Sequence, residues 1–153
     1  MKTVIKIVAL TALAGLFTIS AFAQRPQQKS SNPFLDRDFW ETKPSIEKIE
    51  ATQKEGHSLT EANGGGFDAT TFAIFSGNSL ETIAFLLSQG NDVNKRTHDS
   101  RTYVFWAASR GNLEAVKYLV EKGSKLDLVD SHGYGPLSLP QQQVKKIQKY
   151  MIF

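Results

Sequence analysis

The chain has 153 residues, with 18 basic and 15 acidic side chains, three histidines and no cysteine. This length suits one compact domain, and 41% hydrophobic with 22% charged residues is a globular composition rather than a disordered or polytopic membrane one. The lack of cysteine excludes a disulfide scaffold, a Cys-based zinc finger and a thiol nucleophile. Two of the basic residues lie in 1–23 and three in 140–153, neither of which holds an acid, so residues 24–139 carry 13 basic against 15 acidic groups and no nucleic-acid-binding face is expected.

Residues 1–23 read as a signal peptide. Met1 to Lys6 is a short basic start, Ile7 to Phe17 is an apolar run broken by Thr11 and Gly15, and Ala21-Phe22-Ala23 fits the small-x-small cleavage rule, which places the mature N-terminus at Gln24. The run is short for a membrane span. A periplasmic or secreted protein, with no stable membrane anchor after cleavage, is the expectation. Residues 24–33 read as a flexible polar linker, too poor in apolar side chains to order itself.

Beyond the linker a unit recurs. Ile46-Glu47-Lys48-Ile49, Leu80-Glu81-Thr82-Ile83 and Leu113-Glu114-Ala115-Val116 each place two aliphatic residues three apart. Each run closes on a glycine, Gly56, Gly90 and Gly123, spaced by 34 and 33 residues. Aliphatic residues at i and i+3 draw one stripe along a helix, continued by Leu86 and Leu87 in the second run and by Leu119 and Val120 in the third. The closing glycine supplies the left-handed residue that ends the helix. Ser76-Gly77-Asn78 and Arg110-Gly111-Asn112 predict tight turns between paired helices.

A helix–turn–helix unit with this period resembles the ankyrin repeat. The segment Thr102 to Gly123 is the most similar: Thr102-Tyr103-Val104-Phe105-Trp106-Ala107-Ala108 follows the family's T-P-L-H-x-A-A opening, and Gly111-Asn112 its turn. Gly90-Asn91-Asp92-Val93-Asn94 is close to G-A-D-V-N, and Asp130 to Ser138 is close to D-x-x-G-x-T-P-L-H. The resemblance implies an all-α fold, a short ankyrin-type α-solenoid of helix pairs with projecting hairpin loops. It divides the chain into a divergent N-terminal capping repeat at 34–66, repeats at 67–96 and 97–130, and the start of an incomplete repeat at 131–139. Residues 140–153 read as a basic tail able to form a short helix. Tyr103 and Phe105 stand where the family has Pro and His, so Phe105 must substitute packing for hydrogen bonding. After Leu137 the motif gives way to Pro140-Gln141-Gln142-Gln143, which reads as a shortened repeat array. With few full copies the fold is expected to be marginally stable and open to weak self-association, unless the tail covers the last helix.

Three groupings imitate chemistry. His98-Asp99-Ser100 holds the residue types of a hydrolytic triad, but consecutive residues cannot converge on one reacting atom. His57, His98 and His132 fall in loops one repeat apart, a row rather than a tetrahedral metal site. Gly64-Gly65-Gly66 lacks the Lys-Ser/Thr of a phosphate loop. No catalytic residue, metal or cofactor is therefore expected. The resemblance implies a protein-binding surface on hairpin tips and first helices: Lys95, Arg96, His98, Asp99 and Arg101, with Tyr103, Trp106 and Arg110 beside them, Tyr103 and Trp106 exposed on the concave side. The expected function is an exported protein–protein interaction module without catalytic activity. The alternatives are a regulatory or protective subunit of a periplasmic enzyme and a truncated, non-functional remnant.

Overall fold

The computed structural model describes residues 31–138, so the expected signal peptide, most of the linker and the basic tail lie outside the described residues. Six helices follow in chain order: α1 (Arg37–Glu41), α2 (Ile46–Lys54), α3 (Ala69–Phe75), α4 (Leu80–Ser88), α5 (Tyr103–Ser109) and α6 (Leu113–Glu121). The helix starts are chemically marked. Ser45, Asp68, Ser79 and Asn112 each accept a backbone N–H of the first turn, of Lys48, Thr71, Thr82 and Ala115 respectively, satisfying a donor the helix cannot. The ends are marked as well: Gly56, Gly90 and Gly123 have φ of 98°, 97° and 94°, the left-handed closure expected of them.

The helices form two rows. α1, α3 and α5 pack side by side as one row, α4 lies against α6 in the other, and α3 pairs with α4 as α5 does with α6. This is the all-α solenoid of helix pairs. The stripes predicted on α2, α4 and α6 face inward at Ile49, at Ile83 and Leu86, and at Val116 and Leu119, which are buried, but Leu80 at the first turn of α4 is exposed. Leu126 and Leu128, after α6, and Leu137, in the opening of the incomplete repeat, pack against the same core as Val116 and Leu119.

The N-terminal unit begins earlier than the linker boundary implied. Asn32 is buried, and its amide donates to the Ser58 carbonyl at 2.8 Å and to Glu61 Oε2 at 2.9 Å. Its side chain also accepts from Phe34 N, opening a one-turn 3-10 helix at Pro33–Leu35. Asn32 and Pro33 therefore belong to the folded unit and not to the spacer, because a polar residue with three partners orders itself without an apolar neighbour. Phe34 and Trp40 are fully buried with Ile49, Leu59, Ala69, Ala73 and Leu86, and the Trp40 indole N–H donates to the Phe34 carbonyl at 2.9 Å.

Adjacent units are keyed by polar groups. The Asp68 carboxylate is fully buried; Oδ1 accepts from the Thr71 amide and hydroxyl at 2.9 and 2.8 Å. Its Oδ2 accepts the Tyr103 phenol at 2.6 Å and pairs with Lys95 Nζ at 2.8 Å. Lys95 Nζ also donates to the Thr60 carbonyl at 2.7 Å, so one charge cluster ties the capping unit, the first repeat and the second repeat. The hydrogen bond expected to be lost at Phe105, which is buried without a polar atom, is thus replaced two residues earlier. The concave-side exposure expected of Tyr103 is corrected: the residue is fully buried, because its hydroxyl finds a carboxylate one repeat away. Burial first, then the Asp68 charge, push the phenol above its ordinary range, so it stays a donor. At the next junction the residues one repeat on from Asp68 and Asn91, Thr102 and Ser124, bury hydroxyls with no hydrogen-bond partner among the described residues.

Tyr103→Phe removes one hydrogen bond to a charged acceptor and keeps the ring. Urea unfolding monitored by circular dichroism should show a loss of about 1.5–3 kcal/mol with an unchanged m-value.

Candidate protein-interaction surface

The hairpins between helix pairs repeat one scaffold. Asn63, Thr97 and Asp130 each donate a backbone bond to the fourth residue after them: Asn63 N to Phe67 O, Thr97 N to Arg101 O and Asp130 N to Tyr134 O. In the outer two the side chain reinforces the turn, Asn63 Oδ1 accepting from Gly65 and Phe67, and Asp130 Oδ1 from His132 and Tyr134. In the middle hairpin Thr97 acts differently. Its hydroxyl donates to the Arg101 carbonyl at 2.6 Å and accepts the Trp106 indole N–H at 2.7 Å.

The middle tip is also the strained one. Ser100 takes the place that Gly66 and Gly133 hold in its neighbours, and both Asp99 and Ser100 have positive φ, 55° and 60°. With Arg101 N donating to His98 O at 3.1 Å this is a primed turn, for which glycine is the natural second central residue. The tip is held by its surroundings: Ser131 N donates to the Asp99 carbonyl at 2.8 Å, and Arg96 donates to the carbonyls of Ser100 and Val129 at 3.0 and 3.2 Å.

Of the residues expected to contact a partner, the structure groups Arg96, His98, Asp99 and Arg101 at this tip. His98 stacks on Phe67 with ring centroids 4.7 Å apart, its Nδ1 lies 2.9 Å from the Gly65 carbonyl oxygen, and its Nε2 lies 3.6 Å from Asp99 Oδ1. Arg101 donates from Nε and Nη2 to Asp130 Oδ2, both at 2.9 Å, while its guanidinium carbon lies 5.0 Å from the Trp106 ring centre. Burial pushes the Asp130 carboxyl up. The Tyr134 amide, the Arg101 guanidinium and the His132 amide outweigh that and hold it below its ordinary value. Arg110 lies apart, at the far end of α5, with its guanidinium carbon 4.8 Å from the Phe75 ring centre.

Tyr103 and Trp106, both expected at the surface, are buried. Tyr103 and Lys95 belong to the Asp68 cluster, where Lys95 keeps a quarter of its side chain exposed. Trp106, expected at an outward position, is only 7% exposed. Phe67 at 5.9 Å and Phe75 at 5.0 Å wall it in, and its N–H is spent on Thr97. Sequence reasoning missed this aromatic cluster of Phe67, Phe72 and Phe75, although Phe72 sits one repeat before Trp106 and could have been found by aligning the copies.

An open groove of about 450 Å³ is lined by residues such as Lys43, Asn78 and the caps Ser45 and Ser79. Both serine oxygens are engaged at their helix starts. Among the described residues no three His, Asp or Glu side chains are placed to hold a metal, and no helix is long and apolar enough to cross a membrane.

A family model described as ankyrin repeats in three copies matches residues 68–152, more than half of the chain. The chain belongs to the ankyrin-repeat family. The matched span runs past Leu137, where the motif reading stops, and takes in most of the tail. Ankyrin repeats indicate a protein–protein interaction module, and the family is generally a non-catalytic binding one. The chain is 29% identical over 80 residues to the probable palmitoyltransferase AKR2 of Saccharomyces uvarum, covering 49% of this chain and 11% of that protein. It is 32% identical over 88 residues to the potassium channel AKT1 of Arabidopsis thaliana, covering 58% of this chain and 10% of the channel. The potassium channel AKT1 of Oryza sativa subsp. indica is 32% identical over 63 residues, covering 41% of this chain and 7% of the channel. The chain thus spans about a tenth of the length of these relatives.

Two outcomes follow from the ankyrin hairpins. Ser100→Gly turns the tip into Asp-Gly and relieves a left-handed side-chain penalty of about 1–2 kcal/mol, less the added freedom of the unfolded glycine, so thermal melts should show a net gain of about 0.5–1 kcal/mol. Asp130 has a folded pKa lowered from an ordinary 3.8. Its contribution is complete above that value and lost as pH falls through the lowered one, because the unfolded chain then binds the proton first. Asp130→Asn should therefore flatten the decline of stability below about pH 4 in acid titrations followed by tryptophan fluorescence.

Proposed function

We propose that the chain is an exported, non-catalytic adaptor that holds a protein partner against its middle hairpin tip and the α1–α3–α5 row. The observation that carries this reading is the tip itself. Arg96, His98 and Asp99 project from a turn whose strain is sustained by contacts with both neighbouring hairpins. Strained, over-determined loops on a rigid scaffold are where proteins place recognition groups. Non-catalytic action is supported by membership of a family that is generally a binding one. The groove at Lys43 offers only capped helix starts beside Glu47 and Glu81. The palmitoyltransferase similarity covers a tenth of that enzyme, and the reading assigns none of its activity here. Export is supported by the order of basic start, apolar run and Ala-x-Ala at 21–23.

The test uses the full chain with a C-terminal tag, expressed in its own cells. Intact-mass spectrometry should find Gln24 as the first residue of the exported form; Met1 on a membrane-bound form would overturn export. Cross-linking pull-down should recover a protein partner with the wild type, and at least tenfold less with Arg96→Glu combined with His98→Ala. Equal recovery by a folded double variant would remove the tip from the interface.

A further inference from the structure

The α3 and α5 face has a chemistry of its own. Neither helix, ATTFAIF or YVFWAAS, contains a charged residue. Their outward side shows a half-buried aromatic cluster, Phe67, Phe72 and Phe75, laid against Trp106. Formal charge enters at the ends of α5, through Arg101 and Arg110. Arg101 is spent on Asp130. Arg110 is exposed, its guanidinium carbon lies over the Phe75 ring at 4.8 Å from the centre, and among the described residues no carboxylate pairs with it. A guanidinium over an aromatic ring keeps N–H groups for a planar, bidentate acceptor. Arg96, also exposed, donates to the carbonyls of Ser100 and Val129, and among the described residues no carboxylate is paired with it.

The surrounding charge argues against a polyanion. Four basic residues precede residue 31 and three follow 138, so the described residues carry 11 basic against 15 acidic groups. An arginine edge over an aromatic floor, on a domain of net negative charge, complements a local carboxylate joined to an apolar side chain.

We propose that this face binds a short acidic peptide segment of the partner, with one Asp or Glu on Arg110 and an aromatic or large aliphatic side chain over Phe72 and Phe67. The proposal rests on the protein-binding reading above and gives that partner its chemistry. The Arg110 guanidinium carbon lies 4.8 Å from the Phe75 ring centre, and the Phe75 ring lies 6.5 Å from that of Phe72, so the path from Arg110 to the apolar anchor is at most those two steps end to end. An extended peptide advances about 3.3 Å per residue, so the carboxylate and the apolar anchor lie within about three residues of each other.

The experiment pans a phage library of random 12-residue peptides on the full-length wild-type protein. The winners are then titrated as fluorescein-labelled peptides by anisotropy. Expected is a consensus of Asp or Glu within about three residues of Phe, Trp or Leu, with affinity that falls as salt rises. Arg110→Glu should weaken the winners at least tenfold, Arg110→Lys should restore only part of the loss, and Lys122→Glu on α6 should change nothing. Because Arg110 is exposed, its variants should keep the wild-type circular dichroism, so that a loss of binding is not a loss of fold. Failure to enrich, a neutral or basic consensus, Arg110→Glu without effect, or a labelled oligouridine competing through Arg110 would each overturn the proposal. Recovery of a cross-linked protein partner alongside any of these would leave the adaptor reading standing and remove only the acidic-peptide claim.

Discussion

A carboxylate that has lost all its water must be given back every bond that water made, or the fold does not survive it. Asp68 sits in that position. It starts α3, accepts from the amide and hydroxyl of Thr71, receives the phenol of Tyr103 and faces the ammonium of Lys95, which itself reaches the carbonyl of Thr60. These donors come from both repeats, and the last link reaches the capping unit, so satisfying one charge fixes three units in register. A stacked array of short helices buries apolar stripes in a nearly non-directional way. The bonds to Asp68 supply the direction, since Tyr103 reaches the carboxylate only when α5 sits one full step along from α3.

The face proposed for binding inherits its geometry from that register. With α3 and α5 set side by side, Phe67 and Phe75 close over Trp106, and the indole N–H meets Thr97. Thr97 in turn holds the Arg101 carbonyl and so the base of the hairpin. The tip carrying His98 and Asp99 is thus braced from beneath by an aromatic residue and from the side by Ser131. Rigid presentation lowers the ordering cost of association, which matters for a surface that offers no deep cavity.

Much of this was legible in the chain. The three closing glycines, the paired aliphatic residues and the two Gly-Asn turns mark the helix pairs with local physics alone, and the structure places each where its spacing puts it. The resemblance carried by Thr102 to Gly123 named the fold. What resisted reading was non-local. The consensus frame puts Trp106 at an outward position, and nothing in its own neighbourhood says that Phe67 and Phe75, some thirty or more residues earlier, will rise around it. Tyr103 occupies a position usually held by proline; its partner, Asp68, is recognisable only after the repeats are stacked with a known offset. Asn32 was assigned to a spacer because its flanks are polar, yet Ser58 and Glu61 hold it in place. The hairpin tips, being local, were located correctly as loops, while the bracing beneath them was not visible.

The two repeat junctions are chemically unlike. One is closed by the Asp68 carboxylate, the Tyr103 phenol and the Asn91 amide, whose oxygen lies 3.4 Å from that phenol and whose nitrogen donates to the carbonyls of Leu59 and Leu86; the other presents Thr102 and Ser124 at the matching places, with Leu128 where Lys95 would stand and Pro136 where Tyr103 would stand. The repeats are therefore not interchangeable bricks. A tandem copy of 97–130 inserted after itself would set a new tyrosine against Thr102 instead of Asp68, with no ammonium beside it. The order of units along the array is written into donor and acceptor pairs at their seams, so growth of this protein by duplication would demand a matching change at each new seam, whereas drift within a tip such as His98-Asp99-Ser100 could proceed without it.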